Sequence, residues 1–303
     1  MTNHPPAIEI HNLVRRFGGT DAIDGLNLRV AAGRCYGLFG RNGAGKTTTI
    51  KCLLNLIRPT SGETRVFGLD PVRDEVAVKS RIGYVPDLVA FYPWMTVEDT
   101  LGYFASFRRH WNHATEASLL KQFRLEPRQK TSHLSRGQRT QLALMCAICP
   151  EPDLLVLDEP TSGLDPIVRR EFIQTVIGAY QDGDPKRRTV LVSTHLISEF
   201  EGLIDEFTII DRGRSVLTLE ADAARERYQK VQARFASDPG RLDLPGTRIL
   251  RQRGRDVEIM VNGNSAQVLE QLRAHSPEAL TIEALTLEEI FVATLQPPEE
   301  VGA

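Results

Sequence analysis

The sequence predicts an α/β fold with a mostly parallel sheet, followed by a small α+β unit. Three observations carry this reading. A short apolar strand, Cys35–Phe39, runs straight into a glycine-rich loop and then a helical segment. Two more apolar runs, Leu-Leu-Val-Leu at 154–157 and Thr-Val-Leu-Val-Ser at 189–193, read as buried strands separated by a helix, which is the rhythm of a parallel sheet. Beyond about residue 218 the pattern changes to short alternating strands and helices.

Each element follows from local spacing. Ile8 and Ile10, then Leu26, Leu28 and Val30, alternate with polar neighbours and suit half-buried antiparallel strands. Residues 47–57 are expected to be a helix carrying Ile50, Leu53, Leu54 and Ile57, closed by Arg58-Pro59-Thr-Ser-Gly62. A helical subdomain at about 88–150 is rich in aromatics, with Thr96 and Asp99 as a capping box. Phe207-Thr-Ile-Ile210 is a strand turning at Asp211-Arg-Gly213, and a first domain, 1–218, ends there. In the second, 219–303, residues 256–262 alternate ahead of a turn at Asn262-Gly263, 266–275 have helical spacing, and 280–283 form a strand. Thr286 and Glu289 then cap a helix with Ile290, Phe291 and Leu295.

Composition narrows the function. The 303 residues hold 37 Lys+Arg against 39 Asp+Glu, 41% hydrophobic and 25% charged residues, and 4 Cys, all near globular averages, which excludes disorder and disulfide scaffolds. A net charge of −2 gives no global basic field, so no nucleic-acid partner is expected. Basic residues do gather between Arg225 and Arg255, but Glu226, Asp238 and Asp256 interleave with them; a solvated surface or dimer contact is the simpler account, a face binding a regulator or nucleic acid the alternative. Apolar runs such as 142–149 fall short of the roughly 18–20 residues that span a bilayer. Met1 to Pro6 carry neither a basic nor an apolar leader region, so a cytoplasmic location is expected. Cys146 and Cys149 lie in an apolar helical run and read as buried, inert thiols. His110 and His113, three apart, read as a solvated helix face.

The chemistry concentrates in two places. Gly40-Arg41-Asn42-Gly43-Ala44-Gly45-Lys46-Thr47 satisfies G-x-x-x-x-G-K-[ST], a P-loop whose backbone N–H groups curl around phosphates at a helix N-terminus. Nucleotide contacts are expected from Gly40, Asn42, Gly43, Ala44, Gly45, Lys46, Thr47 and Thr48, with Lys46 on the β- and γ-phosphates and Thr47 on Mg²⁺. The strand at 154–157 ends in Asp158-Glu159, where strand carboxyl ends border ligand crevices. Asp158 is expected to hold Mg²⁺ through water, and Glu159 to take a proton from attacking water.

The ordered set of Phe17, the P-loop, Leu134-Ser135-Arg136-Gly137-Gln138, the strand ending in Glu159, Gly163-Leu164-Asp165 and Ser193-Thr-His195 resembles the nucleotide-binding subunit of an ABC transporter over residues 7 to about 218. The Gly-Leu-Asp-Pro166 turn and the ending Thr286-Leu-Glu-Glu-Ile-Phe-Val look most like ABC-2, exporter-type ATPase subunits. The resemblance implies a P-loop NTPase core with an antiparallel β subdomain and a helical subdomain, binding ATP and Mg²⁺. It implies that Phe17 stacks on adenine, a core Phe being the alternative. Ser135, Gly137 and Gln138 are then the signature that meets the γ-phosphate on a second copy or homologous subunit. Asp165 becomes the acid at the dimer seam and His195 the switch histidine. Catalysis would rest on Glu159, His195 and Lys46. Two positions depart from the family: Asp87 stands where Gln is usual and would reach Mg²⁺ through water, and Arg136 replaces the first signature glycine. The expected function is ATP hydrolysis driving export through a separate membrane permease, with the chain peripheral on the inner face of the cell membrane. A soluble ABC ATPase without a transport role is the alternative. Phe91, Tyr92 and Trp94 are either the permease dock or the core of the helical subdomain.

Overall fold

The computed structural model describes residues 5–181, 188–240, 242, 244–245 and 247–296; the first four residues of the leader reading lie outside it. The chain divides into two compact units, Met1–Thr218 and Leu219–Ala303.

In the first unit, the alternating N-terminal segments pair as expected of half-buried strands. β1 (Ile8–Phe17) lies antiparallel to β2 (Thr20–Val30) on one side. On its other side, after β3 (Cys35–Phe39) and helix α1 (Lys46–Leu53), comes antiparallel β4 (Ser61–Val66). The helix expected to reach Ile57 stops at Leu53, because Asn55 adopts a left-handed φ of 52° and breaks the hydrogen-bond ladder.

Helix α2 (Glu75–Ser80) leads to β5 (Ile82–Val85), and three helices follow: α3 (Val97–Ser106), α4 (His113–Phe123) and α5 (Arg136–Ile148). The Thr96–Asp99 capping box opens α3. Helix α5 is buried from Thr140 onward, packed against β5, α3, α4 and α6 (Pro166–Gln181), so its Cys146 and Cys149 thiols are pushed up by burial and stay protonated. His110 and His113 do not share a helix face, since His110 precedes Asn112, the N-cap of α4. They meet carboxylates instead: His110 Nε2 lies 2.8 Å from Glu151, and His113 Nδ1 lies 3.5 Å from Glu116.

The main sheet is completed by β6 (Leu154–Asp158), β7 (Thr189–Thr194), β8 (Glu206–Asp211) and β9 (Arg214–Glu220), in the order β5-β6-β7-β3-β8-β9. The pairs from β5 through β8 are parallel. Their register decides where chemistry can occur. Asp158 pairs with Ser193, and Phe39 with Thr194, so the residues that follow β3, β6 and β7 emerge side by side at one carboxyl edge.

The second unit contains α7 (Ala221–Arg227), β10 (Tyr228–Arg234), β11 (Thr247–Arg253), β12 (Asp256–Asn262), α8 (Ser265–Ala274), β13 (Ala279–Ala284) and α9 (Leu287–Leu295). Its antiparallel sheet runs β11-β12-β10-β13. Alternation puts Val231, Ala233, Val257, Ile259 and Val261 on one face, where they form a core with Val268 and Leu272 of α8. Asn262-Gly263 leads into α8, and the Thr286–Glu289 capping box opens α9.

Candidate active site

The loop after β3 has a shape that only glycine permits at one position. Gly45 is the N-cap of α1 at φ 106°, and a Cβ there would fall 2.5 Å from the Ala22 carbonyl oxygen. Ala44 N–H donates to the Arg41 carbonyl at 3.1 Å and tightens the turn. The first N–H groups of α1 are therefore directed at the loop, with the positive end of the helix dipole behind them. Arg41, Asn42 and Gly43 are exposed, Ala44 and Gly45 are buried, and Thr47 and Thr48 are half-buried.

Lys46 is the first residue of α1 and only 5% exposed. Its Nζ donates to the carbonyls of Gly40 (2.7 Å) and Arg41 (3.4 Å), and it lies 2.8 Å from Glu159 Oε1. That last approach is a charge contact rather than an aligned hydrogen bond. A phosphate oxygen entering the loop competes with Glu159 for this ammonium.

Asp158 is fully buried. Its Oδ1 accepts from the Thr47 hydroxyl (3.1 Å) and the Ser193 hydroxyl (3.0 Å), while Oδ2 has no hydrogen-bond partner. Burial raises this carboxyl above the usual carboxylate range, the two hydroxyls oppose the rise, and the charges of Glu159 and Asp87 add to it. An unspent carboxylate oxygen beside a threonine hydroxyl, with no cation paired to it among the described residues, is a donor set that suits a hard divalent cation. These residues fit Mg²⁺.

Glu159 follows in the left-handed region, at φ 47°. Its N–H donates to the Ser193 carbonyl (2.8 Å), which anchors the strained residue to β7. Its Oε2 lies 2.8 Å from His195 Nδ1. An ionised carboxylate only accepts, so Nδ1 carries the proton and Nε2 faces away from Glu159.

Similarity to known proteins agrees with this arrangement. The family model described as ABC transporter matches residues 23–162. The bacitracin transport ATP-binding protein BcrA of Bacillus licheniformis is 33% identical over 225 residues, covering 74% of this chain and 72% of its own. The chain belongs to the ABC transporter family. The Nod factor export ATP-binding protein I of Rhizobium leguminosarum bv. viciae is 30% identical over 301 residues, covering 95% of this chain and 94% of its own, so this similarity extends through the second unit. A solved structure of an ATP binding subunit of an ABC transporter superposes with a TM-score of 0.66 at 27% identity, over 73% of this chain and 92% of that one. As a family member, the chain is an ATP-binding and ATP-hydrolysing subunit.

The other ABC motif positions are spread around this cluster. Phe17 is 49% exposed at the end of β1, so it is not a core Phe, and the Arg15 guanidinium lies 4.4 Å from its ring centroid. Asp87, exposed in the loop after β5, acts on Asp158 through its charge. Ser135 is the N-cap of α5: its hydroxyl accepts from Gln138 N–H (3.2 Å), and the Gln138 side chain accepts from Ser135 N–H (3.0 Å). No hydrogen bond or ion pair joins Ser135, Gly137 or Gln138 to the P-loop among the described residues. Arg136 and Gly137 lie instead against Gly163 and the first turn of α6: a Cβ on Gly163 would meet Arg136 Nη1 at 2.5 Å, and one on Gly137 would meet Val168 at 3.1 Å. Asp165 caps α6, its Oδ1 accepting from Ile167 and Val168 N–H at 3.1 Å each. Sequence reasoning gave Ser193 no role of its own, yet it secures Asp158; a serine ending the strand beside the acidic one was the available signal.

Proposed function

We propose that two copies of this chain, or the chain and a homologous subunit, hydrolyse ATP to drive export through a separate membrane permease. The observation that carries this reading is the cluster of Lys46, Thr47, Asp158, Glu159 and His195 at one sheet edge. Export, rather than import, follows the relatives named for bacitracin transport and Nod factor export.

In this reading Glu159 orients the attacking water and takes its proton, held in place by His195 Nδ1–H and by its own backbone bond to Ser193. Lys46 exchanges its Glu159 contact for phosphate oxygens, and that exchange frees the carboxylate as substrate enters. Thr47 and Asp158 would hold Mg²⁺, which supplies charge neutralisation at the phosphates. The N-terminus of α5, with Ser135, Gly137 and Gln138, presents its N–H groups to the phosphate on the partner copy. Asp165 lies at the seam, and Phe17 receives adenine.

The permease dock is the aromatic surface of the helical subdomain. Tyr92, Trp94, Tyr103 and Phe107 are 48%, 66%, 40% and 70% exposed, and beside them Phe91, Met95 and Phe104 help line a cavity of about 350 Å³. No helix among the described residues is long and apolar enough to cross a membrane, which accords with a permease on another polypeptide and a peripheral cytoplasmic position for this one.

Glu159→Gln tests the catalytic reading. Removing the base is expected to lower turnover about 10²–10⁴-fold, roughly 3–5 kcal/mol of barrier, and to trap a closed dimer with Mg-ATP. Wild-type turnover in this variant overturns the role given to Glu159.

A further inference from the structure

We infer that Arg169 is a positioning residue that ties loop 163–165 to the segment carrying His195, so that events at the subunit seam and placement of the switch histidine are coupled within one chain. The proposal rests on the roles given above to Asp165, His195 and Glu159.

The local geometry begins with Asp165, whose carboxylate caps α6, and Pro166, whose fixed φ suits the first helical position. Arg169 then falls one turn into α6, and its backbone N–H donates to the Asp165 carbonyl at 3.0 Å. Its side chain turns back over the loop. Nη2 donates to the Leu164 carbonyl at 3.0 Å, and Nη1 pairs with Glu199 Oε1 at 2.7 Å.

Glu199 belongs to the one-turn segment Ile197–Glu199, which starts two residues after His195. His195 in turn meets Glu159 Oε2 through both its backbone N–H (3.4 Å) and its ring Nδ1 (2.8 Å). Polar contacts therefore run from the backbone of the seam loop through one guanidinium to Glu199, four residues along the chain from His195, and from His195 to the carboxylate proposed to be the base.

A side chain that merely pinned α6 to the histidine segment would need only the Glu199 contact. This guanidinium spends its second nitrogen on the carbonyl of the residue before Asp165, and so reads the position of the loop. Glu199 is 11% exposed and Arg169 33%, so the pair is only partly shielded from solvent. They use only part of their capacity, because Arg169 Nε and Glu199 Oε2 are buried without partners. A guanidinium can hold a carboxylate through two nitrogens; here only Nη1 approaches Glu199, as an ion pair. The pair thus has a second arrangement, with Nη1 and Nη2 together on the two Glu199 oxygens, reached as Nη2 shifts from the Leu164 carbonyl, and a discrete second state is what coupling requires. On the loop's other side Arg136 lies against Gly163, where φ is 70° and a side chain would collide with the guanidinium, so 163–165 is held between two arginines.

The test uses the full-length chain carrying Arg169→Gln, Glu199→Gln, both together, or Arg169→Lys, with turnover, ATP affinity, thermal stability and the pH dependence of kcat measured for each. Arg169→Gln is expected to lower kcat about 10–100-fold, the scale of a displaced catalytic group, while ATP affinity stays within about twofold. The pH dependence of kcat is expected to move, because the surroundings of His195 and Glu159 change; loss of folded protein alone would scale the profile without moving it. The double variant is expected to be no slower than the slower single one, as for groups acting as a unit. Arg169→Lys keeps a cation for Glu199 but loses the fork, and is expected to fall between wild type and Gln. Should Arg169→Gln fail to fold, the Lys variant decides by its rate and profile. Wild-type kcat with an unmoved profile, or losses that multiply in the double variant, overturns the proposal. Glu159→Gln separates the layers: if it is inactive while Arg169→Gln is normal, only the coupling fails, and if it is active the site reading fails first.

Discussion

At the scale of single residues, Asp158 combines full burial with an unspent carboxylate oxygen. Burial raises its pKa. A carboxyl raised in the folded state favours folding in its protonated form. That stability is present below the ordinary carboxylate range, near 4, and is lost as pH rises through the folded-state value. Without Mg²⁺, the ionised group therefore opposes folding at neutral pH. Asp158→Asn keeps an oxygen for Thr47 and Ser193 and removes the charge. The variant is expected to melt above wild type at pH 7 by a few degrees, at about 2–4 °C per kcal/mol for a unit of this size. The gap should shrink towards pH 4 and close when Mg-ATP is added to the wild type, while hydrolysis is lost. Thermal unfolding across pH with and without Mg-ATP checks this; a variant less stable than wild type at neutral pH contradicts it.

At the scale of elements, the helical subdomain separates what spacing reveals from what packing decides. The caps of α3, α5 and α9 are legible because a capping box needs only residues three apart. The P-loop is legible for the same local reason. The Lys46–Glu159 contact, the hydroxyls on Asp158 and the carboxylate beside His110 are not, because each depends on a register or a loop that brings distant residues together. The end of α1 is not legible because a single left-handed Asn55 outweighs a continuing apolar pattern. Whether the aromatics face solvent or core also needed the fold: Val97 and Leu101 turn inward at 0% and 1% exposure, while Tyr92, Trp94, Tyr103 and Phe107 remain outside in mutual ring contact. Alanine at Tyr92 and Trp94 together is therefore expected to shift stability by only about 0.5–1 kcal/mol and to leave basal ATP hydrolysis intact, while the chain no longer sediments with membranes containing its permease. Leu101→Ala is the contrast, expected to cost about 2–5 kcal/mol. Thermal melts with membrane sedimentation distinguish the two; continued membrane binding by the double variant removes the dock from this surface.

At the scale of the whole molecule, one chain keeps apart the two groups of residues proposed to hold phosphate. Lys46, Thr47, Asp158 and Glu159 converge at the sheet edge, whereas the α5 N-terminus faces the loop before α6. In the proposed pair, a second copy related by a two-fold axis would bring each α5 N-terminus to the other's P-loop and make two equivalent composite sites. The consequence is arithmetical. Lys46→Ala removes the ammonium from one half-site. Ser135→Asp keeps the N-cap of α5, since aspartate accepts the same backbone bond, but sets a negative charge against the phosphate. Either variant alone leaves no intact composite site. In an equal mixture about half of the pairs are mixed, and each mixed pair has one site built from an unaltered P-loop and an unaltered α5 while its other site carries both defects. Turnover is therefore expected to return to about a quarter of wild type on mixing, if the sites work independently, and to about nothing if both must fire together. Hydrolysis by Ser135→Asp alone at wild-type rate shows that the signature does not act across the seam, and the same result for Lys46→Ala removes Lys46 from the catalytic set. A quarter-strength recovery that disappears on dilution, as the pairs dissociate, places the complete site between two copies of this chain.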